Sequence, residues 1–229
     1  MKRSRVNEII REGDAFIRSF GYIMPPFAYW TPDELRTRRP DGIVGARLGW
    51  DITDFGQEKF DEFGLFLFTV RNGRQEDLAS GKGMLYAEKI MISRKDQISP
   101  MHRHIVKAED IINRGGGKLV LELFMPAEDG GIDRHKEVTV PTDGVVRKLP
   151  AGGLLKLDPG ESVTLLPGVW HAFWGEGGDV LIGEVSTVND DLSDNIFDQP
   201  IGRFSSIEED EAPLHLLVSD YDKHIFGKV

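Results

Sequence analysis

The sequence predicts an all-β protein, built as an antiparallel sandwich or barrel. From about residue 42 onward, short apolar runs are separated by turn residues such as those of Asp158-Pro159-Gly160. The runs follow one another closely and do not alternate with helical patterns, which argues against a parallel sheet of βαβ units. The predicted strands lie in LGWDITDFG, FGLFLFTVRNG, GMLYAEKIMIS, KLVLELFMP, GLLKLDPGESVTLLPG and DVLIGEVSTV.

Two helices are expected before the strands. The first 20 residues carry apolar side chains at helical spacing, with charged residues between them. Further on, Thr31, Pro32 and Glu34 form the pattern of a helix start with a capping box. We therefore predict a single domain with an N-terminal helical extension at 1–42, a β-barrel core at 43–186 and a C-terminal extension at 187–229. The apolar positions of the first helix are Val6, Ile9, Ile10, Phe16, Ile17 and Phe20.

Composition excludes several classes of protein. The 229 residues, 40% of them hydrophobic, are enough to bury a substantial core. The absence of cysteine excludes disulfides, thiolate metal sites and cysteine nucleophiles. A net charge of −10 without a basic stripe argues against binding nucleic acid. The N-terminus does not resemble a secretory signal and no segment has the length of a membrane span, so we expect a cytoplasmic protein with no membrane partner.

Three histidines and a glutamate have the spacing of a metal site. His102 and His104 are two residues apart, so both imidazoles point to the same face of a β-strand. Glu109 follows after a short interval. His171 comes just after the turn in GESVTLLPGVWH, which has the pattern of a strand, a tight turn and a second strand. Three nitrogens and one oxygen can therefore converge on one divalent cation. The remaining histidines have no such spacing and are His135, His215 and His224.

These segments resemble the two motifs of the cupin superfamily. HRHIVKAE, beginning at His102, resembles the first motif, and GESVTLLPGVWH resembles the second. Asp96 stands where the first motif commonly starts with glycine, and Gly175 replaces the final asparagine of the second. The resemblance implies a double-stranded β-helix, or jelly-roll, barrel that carries the N-terminal helices and the C-terminal extension.

A narrower resemblance covers most of the chain from Leu48 to Phe204. LGWDITDFG, HIVKAEDIINRGGGKL, LLPGVWHAFW, GEVSTVNDD and DNIFDQPIGRF are similar to segments of the D-lyxose isomerase family. This implies a Mn²⁺-dependent aldose–ketose isomerase that interconverts D-lyxose with D-xylulose, and D-mannose with D-fructose, as a homodimer. The ligand types by themselves also admit Co²⁺, Fe²⁺, Ni²⁺ or Zn²⁺.

Isomerisation requires a base that moves a proton between two neighbouring carbons. Glu184 in VLIGEVS is the first candidate, on a strand predicted to follow the one that bears His171. Lys107, between the ligands His104 and Glu109, can hydrogen-bond a substrate oxygen or assist proton transfer. Glu122 in KLVLELFMP is a rival to both carboxylates, and it is the alternative metal ligand if Glu109 faces solvent.

Four further residues are expected to bind the sugar. Asp190, Asp194 and Arg203 fall in segments that resemble the family, where they would bind hydroxyls of the open sugar chain. Their alternative role is as loop caps or surface ion pairs. Trp174, with Trp50 and Trp170, can supply an apolar face for stacking, and the alternative for each is a place in the core.

The same ligands would also serve a cupin dioxygenase, in which O₂ occupies an open position on the metal. A non-catalytic sugar-binding cupin is a third possibility. Glu184 and Lys107 favour the isomerase, because a dioxygenase has little use for a carboxylate base and an ammonium group beside the metal.

Overall fold

The computed structural model describes residues 1–38 and 41–227. Both predicted N-terminal helices are present. The first buries Val6, Ile9, Ile10 and Ile17, none of them more than 1% exposed. The second begins at the predicted capping box, in which the Glu34 backbone N–H donates to the Thr31 hydroxyl and the Thr31 backbone N–H donates to the Glu34 carboxylate. The helices of the described residues are α1 (Arg3–Ser19), α2 (Pro32–Thr37), α3 (Asp41–Gly45), α4 (Gln75–Ser80) and α5 (Tyr221–His224), with 3₁₀ turns at Pro26–Tyr29 and Val218–Asp220.

Strands make up most of the region from 49 to 197, as the sequence predicts, and they pair antiparallel throughout. The strands are β1 (Gly49–Thr53), β2 (Leu65–Asn72), β3 (Tyr86–Ser93), β4 (Ser99–His104), β5 (Glu109–Pro126), β6 (Ile132–Asp133), β7 (Val138–Thr142), β8 (Val145–Leu149), β9 (Gly153–Leu157), β10 (Ser162–Leu165), β11 (Trp170–Thr187) and β12 (Asn195–Phe197).

The two long strands β5 and β11 pair along nearly their whole length and organise the sheet. The first part of β11 also pairs with β4, and its second part pairs with β3, which leads on to β2 and β1. On its other edge β5 pairs with β9 and β10. Within the described part of the chain, one curled sheet of ten strands results, and β7 and β8 form a separate hairpin.

The glycine run in DIINRGGG lies where β5 and β11 bend together. Gly116 has a φ of +97°, and a Cβ added there would lie 2.1 Å from the carbonyl oxygen of Asp179. A Cβ on Gly117 would lie 2.6 Å from the carbonyl oxygen of Gly178. The strand register shifts between Glu176 and Val180, opposite this run. Glycine is therefore required for the two strands to bend without separating.

One prediction about the strands was wrong, and one pair of strands was not predicted. Glu184 was predicted on the strand after the one that bears His171, but both residues lie on β11, which continues through its glycine-containing bend. The hairpin of β7 and β8 was not predicted, because Pro141 interrupts its pattern and β8 has no buried residue that would give an alternation.

The buried side chains form two main clusters on opposite faces of the sheet. The barrel interior is filled by residues such as Leu121, Phe173 and Ile182. The second cluster joins α1 to the outer face of β1, β2 and β3. Trp50 belongs to this second cluster, where its indole N–H donates to the carbonyl of Ala28 at 2.7 Å. The side chain of Trp50 therefore stabilises the attachment of the N-terminal helices.

The C-terminal residues return to the N-terminal helix. The guanidinium of Arg3 is fully buried and binds the carboxylates of Glu209 and Asp220, with four N–O distances of 2.8–2.9 Å. These ion pairs hold the C-terminal residues against α1. The domain boundaries at 42/43 and 186/187 remain predictions, and residues 39–40 and 228–229 of that division lie outside the described residues. Within 1–38 and 41–227, no helix is long and apolar enough to cross a membrane.

We expect Arg3→Ala to lower the free energy of unfolding by about 3–5 kcal/mol, because it leaves a buried carboxylate without its partner. Arg5→Ala is the matched control, since Arg5 lies on the same helix but its side chain is 31% exposed and its ion pairs face solvent. The control should lose at most about 1 kcal/mol. Urea unfolding of the two variants measures the difference, and equal stability would contradict a stabilising role of the buried pair.

Candidate functional site

The strand pairing brings the three predicted histidines together. His102 and His104 lie on β4 and project to the same side, as the two-residue spacing predicts. His171 lies at the start of β11, and its Cα is paired with that of His102 across the sheet. One ligand nitrogen from each ring lies within 4.8 Å of the others. The cluster therefore depends on β4 and β11 being adjacent.

The backbone fixes the orientation of two of these rings. Nδ1 of His102 lies 2.8 Å from the carbonyl oxygen of Pro100, and Nδ1 of His171 lies 3.1 Å from that of Val169. A carbonyl oxygen only accepts hydrogen bonds, so Nδ1 of each ring carries the proton. Burial, together with His171 and His104, holds the pKa of His102 well below its usual value. With the proton on Nδ1, Nε2 of the neutral His102 ring presents a lone pair, as metal binding requires.

Glu109, at the start of β5, lies beside two of these three histidines. Its Oε1 lies 3.3 Å from Nε2 of His104 and 3.2 Å from Nε2 of His171, and it is buried without a hydrogen-bond partner. Burial would raise the pKa of Glu109, but Lys107 and His104 outweigh it and lower that pKa well below its usual value. The carboxylate is therefore ionised.

This arrangement fits a divalent cation. A carboxylate oxygen and the unprotonated nitrogens of imidazoles offer only lone pairs to one another, so they approach closely at low cost when they share a cation or a proton. Two ligands bonded at about 2.1–2.2 Å and at right angles to each other are roughly 3.0–3.1 Å apart, close to the spacing here. The four residues present fit a metal bound through nitrogen and oxygen.

Glu122 is not part of this cluster. It is paired with Ala172, whose chain neighbours His171 and Phe173 both line the cavity. Because side chains alternate along a strand, Glu122 and Ala172 point to the other face of the sheet. The carboxylate beside the histidines is Glu109.

A second carboxylate lies close to the cluster between two lysines. Lys107 Nζ is 2.6 Å from Oε2 of Glu109 and 3.0 Å from Oε1 of Glu184. Lys89 Nζ is 3.3 Å from the same Glu184 oxygen. Burial opposes ionisation of all these groups, but the pKa of Lys107 is raised by Glu109 and Glu184, and the pKa of Glu184 is lowered by Lys107 and Lys89. A carboxylate anion and two ammonium groups are therefore held together out of solvent.

Arg203 and two aspartates form a further charged group in contact with the same cavity. The guanidinium of Arg203 lies 2.8 Å from Asp51 and 3.2 Å from Asp191. Asp191 is also 3.9 Å from Lys89. Burial would raise the pKa of Asp191, but Arg203 and Lys89 lower it well below its usual value. Nη1 of Arg203 and Oδ1 of Asp51 are buried without hydrogen-bond partners.

Three charged residues at the site were not predicted from the sequence: Lys89, Asp51 and Asp191. Lys89 had a signal, since it shares a face of β3 with the buried Met91 and therefore points into the barrel. Asp51 lies in a strand whose every residue is buried, so no alternation marks it. Asp191 lies in a loop, where the sequence contains no periodicity that reports burial.

Three predicted sugar-binding residues lie away from the cavity. Asp190 caps its own loop, accepting hydrogen bonds from the backbone of Leu192 and Ser193. Asp194 accepts from the backbone between His104 and Glu109 and does not line the cavity. Trp174 is next to the cavity-lining Phe173 on β11 and therefore points to the opposite face.

Neither of the other two tryptophans lines the cavity. Trp50 packs under the N-terminal helices, and Trp170 donates its indole N–H to the carbonyl of Gly130 at 3.2 Å. Among the described residues, the apolar wall of the cavity comes from other side chains, which are Phe55, Leu65, Leu67, Met91, Ile111, Phe173 and Phe197.

The fold is shared with structurally characterised sugar isomerases. An L-ribose isomerase from Acinetobacter sp. DL28, solved in complex with L-ribose, has a TM-score of 0.61 at 16% identity, covering 91% of this chain and 98% of that one. An L-ribose isomerase from Cellulomonas parahominis, also solved with L-ribose, has the same TM-score, identity and coverage. At these identities the likeness shows a common fold, the cupin jelly-roll barrel that the sequence predicts.

Sequence comparison identifies the family. A family model described as D-lyxose isomerase matches residues 1–221. A D-lyxose/D-mannose isomerase of Serratia proteamaculans is 47% identical over 98% of this chain and all of that protein. A D-lyxose/D-mannose isomerase of Escherichia coli O157:H7 is 45% identical over 96% of this chain and 98% of that protein.

The chain is therefore a cupin-fold enzyme of the aldose–ketose isomerase class. It belongs to the D-lyxose isomerase family, as its resemblance at the sequence level predicts.

We expect His171→Ala to weaken Mn²⁺ binding by about 100-fold or more. Loss of a residue that only orients a metal ligand typically lowers metal affinity by about 10–100-fold, and loss of the ligand itself should lower it further. His135→Ala is the matched control, since His135 is exposed in a loop outside the cluster. Metal analysis by mass spectrometry after dialysis measures the difference. Equal metal content in the two variants would contradict the assignment of His171 as a ligand.

Proposed function

We propose that this enzyme interconverts D-lyxose with D-xylulose, and D-mannose with D-fructose, in a reaction that depends on a divalent metal. The observation that carries the proposal is the buried carboxylate of Glu184, held between two ammonium groups beside a cluster suited to a metal. The names of relatives at 45–47% identity support these sugars. The proposed ligands are His102, His104, Glu109 and His171.

When bound, a divalent cation would polarise the substrate carbonyl and stabilise negative charge on the oxygens of C1 and C2. Mn²⁺ is the proposed ion, since the cluster offers three nitrogens and one oxygen and the resemblance to the family implies manganese. Co²⁺, Fe²⁺, Ni²⁺ and Zn²⁺ bind the same ligand types and are the alternatives.

Glu184 is the proposed base. As an anion it can take the proton from C2 of the aldose and return it to C1, while the hydroxyl proton of O2 passes to O1, to give the ketose. The reverse transfer uses the same carboxylate, so one residue serves both directions of the reaction. Burial keeps water from competing for this proton, and the neighbouring lysines favour the ionised form that must accept it.

Lys107 is proposed to assist at the substrate oxygens. Its ammonium group is buried and stays protonated, because its pKa is raised by Glu109 and Glu184. It can donate a hydrogen bond to O1 or O2 as negative charge develops there. Its ion pairs with the proposed ligand Glu109 and the proposed base Glu184 support a place for its ammonium group beside the reacting part of the sugar.

Arg203 is proposed to bind hydroxyls at the far end of the open-chain sugar, together with Asp191. A sugar hydroxyl both donates and accepts a hydrogen bond. Arg203 lines the cavity, and its Nη1 is a buried donor that lacks a partner among the described residues. This free donor supports a polyhydroxylated substrate, and the positions of Asp190, Asp194 and Trp174 do not favour contact with it.

The charged groups of the cavity also weigh against a dioxygenase. O₂ and an apolar substrate would not compensate the burial of Lys89, Lys107 and Arg203, whereas sugar hydroxyls can hydrogen-bond all three. A purely sugar-binding role would have no need for Glu184 between two lysines.

We also propose that the enzyme is a cytoplasmic homodimer, as the resemblance to the family implies. Exposed aliphatic side chains support a second copy near the site. Ile105, Val106, Leu166 and Leu192 are each 51–65% exposed and lie on three neighbouring segments next to His104.

We expect Glu184→Gln to lower kcat by about 10²–10⁴-fold, because glutamine has nearly the same shape but does not accept the proton. Metal content should be unchanged, since Glu184 is not among the proposed ligands. Ketose formation from D-lyxose and D-mannose, measured beside metal content, makes the comparison.

Glu122→Gln is the matched control, because it makes the same chemical change on the opposite face of the sheet. This variant should turn over like the unmodified enzyme. Turnover by Glu184→Gln equal to that of Glu122→Gln would remove Glu184 as the base.

A further inference from the structure

The segment that links the metal cluster to Lys107 is held by one carboxylate. The backbone N–H groups of Ile105 and Val106 donate to Oδ1 of Asp194 at 2.9 and 2.8 Å, and the N–H of Lys107 donates to Oδ2 at 2.9 Å. Asp194 is only 5% exposed. Three consecutive amides therefore converge on a single buried side chain.

Among the described residues, the other contacts of this segment are the ion pairs of the Lys107 side chain and a longer bond from the Ile105 N–H to the backbone carbonyl of Asp194 at 3.3 Å. The side chains of Ile105 and Val106 are 51% and 52% exposed, so they contribute little packing. The next amide, that of Ala108, donates to Oγ1 of Thr187 at 3.2 Å. On the other side, the strand pairing of β4 with β12 ends at His104. The conformation between His104 and Lys107 thus depends on the Asp194 carboxylate, whose hydrogen bonds to the amides are charge-assisted.

Asp194 is also close to the one histidine of the cluster that lacks a backbone partner. Nδ1 of His104 is buried without a hydrogen bond, and it lies 4.0 Å from Oδ2 of Asp194. His102 and His171 each have a carbonyl at the equivalent nitrogen. A negative charge at this distance favours the tautomer with the proton on Nδ1, which leaves Nε2 free to face the cluster.

We propose that Asp194 is a positioning residue that fixes the ligand His104 and the catalytic Lys107 together through the segment 105–107. The proposal rests on the proposed function of that site. It makes the C-terminal extension part of the active site, since Asp194 comes from the segment just before β12. It also gives Asp194 a role different from the sugar contact expected from the sequence.

Asp194→Ala tests this proposal, and Asp198→Ala is the matched control because Asp198 is an exposed aspartate of the same segment. We expect the dissociation constant for Mn²⁺, titrated by the electron paramagnetic resonance of the free ion, to rise about 10–100-fold in Asp194→Ala alone. At saturating Mn²⁺, kcat should fall at least about tenfold, and KM should change much less. Amide hydrogen exchange at 105–107 should accelerate.

Asp194→Asn serves the same comparison if the alanine variant does not fold, because it keeps the size of the side chain and loses the charge and one acceptor. Unchanged Mn²⁺ affinity and kcat in a folded Asp194 variant would overturn the proposal, even if its melting temperature falls. Unmodified enzyme that neither binds Mn²⁺ nor forms ketose would instead overturn the proposed function.

Discussion

The convergence of three imidazoles and one carboxylate in a buried space is the constraint on which the site depends. Glu109 Oε1 lies 3.2–3.3 Å from two imidazole nitrogens and has no hydrogen-bond donor. Groups that offer only lone pairs do not approach so closely without a shared cation or proton. The long pairing of β5 with β11, and of β11 with β4, brings these side chains together, and the glycine-containing bend allows both long strands to continue around the barrel.

Several more charged side chains are buried beside the histidines and Glu109. The buried groups are the carboxylates of Asp51, Glu109, Glu184 and Asp191 and the cations Lys89, Lys107 and Arg203. Burial raises the pKa of Asp51, whereas the pKa values of Glu109, Glu184 and Asp191 are lowered by the neighbouring cations. With three or four ionised carboxylates beside three cations, a divalent cation would make the group net positive, which favours oxygens that carry developing negative charge. Each carboxylate has a cation within 3.3 Å. Such a network keeps ionised groups buried, where the low dielectric constant strengthens their electrostatic interaction with a reacting sugar.

Local patterns in the sequence were enough to predict the fold class, α1, α2 and the grouping of the histidines. The two-residue spacing of His102 and His104 determines their shared face, and the turn before His171 marks the start of its strand. The direction in which some other side chains point depends on the pairing of strands that are distant in sequence. The outward direction of Trp174 follows from local alternation, since it lies three residues after His171 on the same strand. Asp194 turns toward the backbone because β12 pairs with β4, and this outcome is not encoded in the residues next to it.

Ketose formation by metal-stripped protein, with and without added Mn²⁺, tests the central claim most directly. The substrates are D-lyxose and D-mannose, and oxygen consumption is followed in the same reaction. We predict that xylulose and fructose form only after Mn²⁺ is restored and that no oxygen is consumed. No ketose from the metal-loaded protein, or equal rates with and without metal, would contradict a metal-dependent isomerase that uses the cluster around His102.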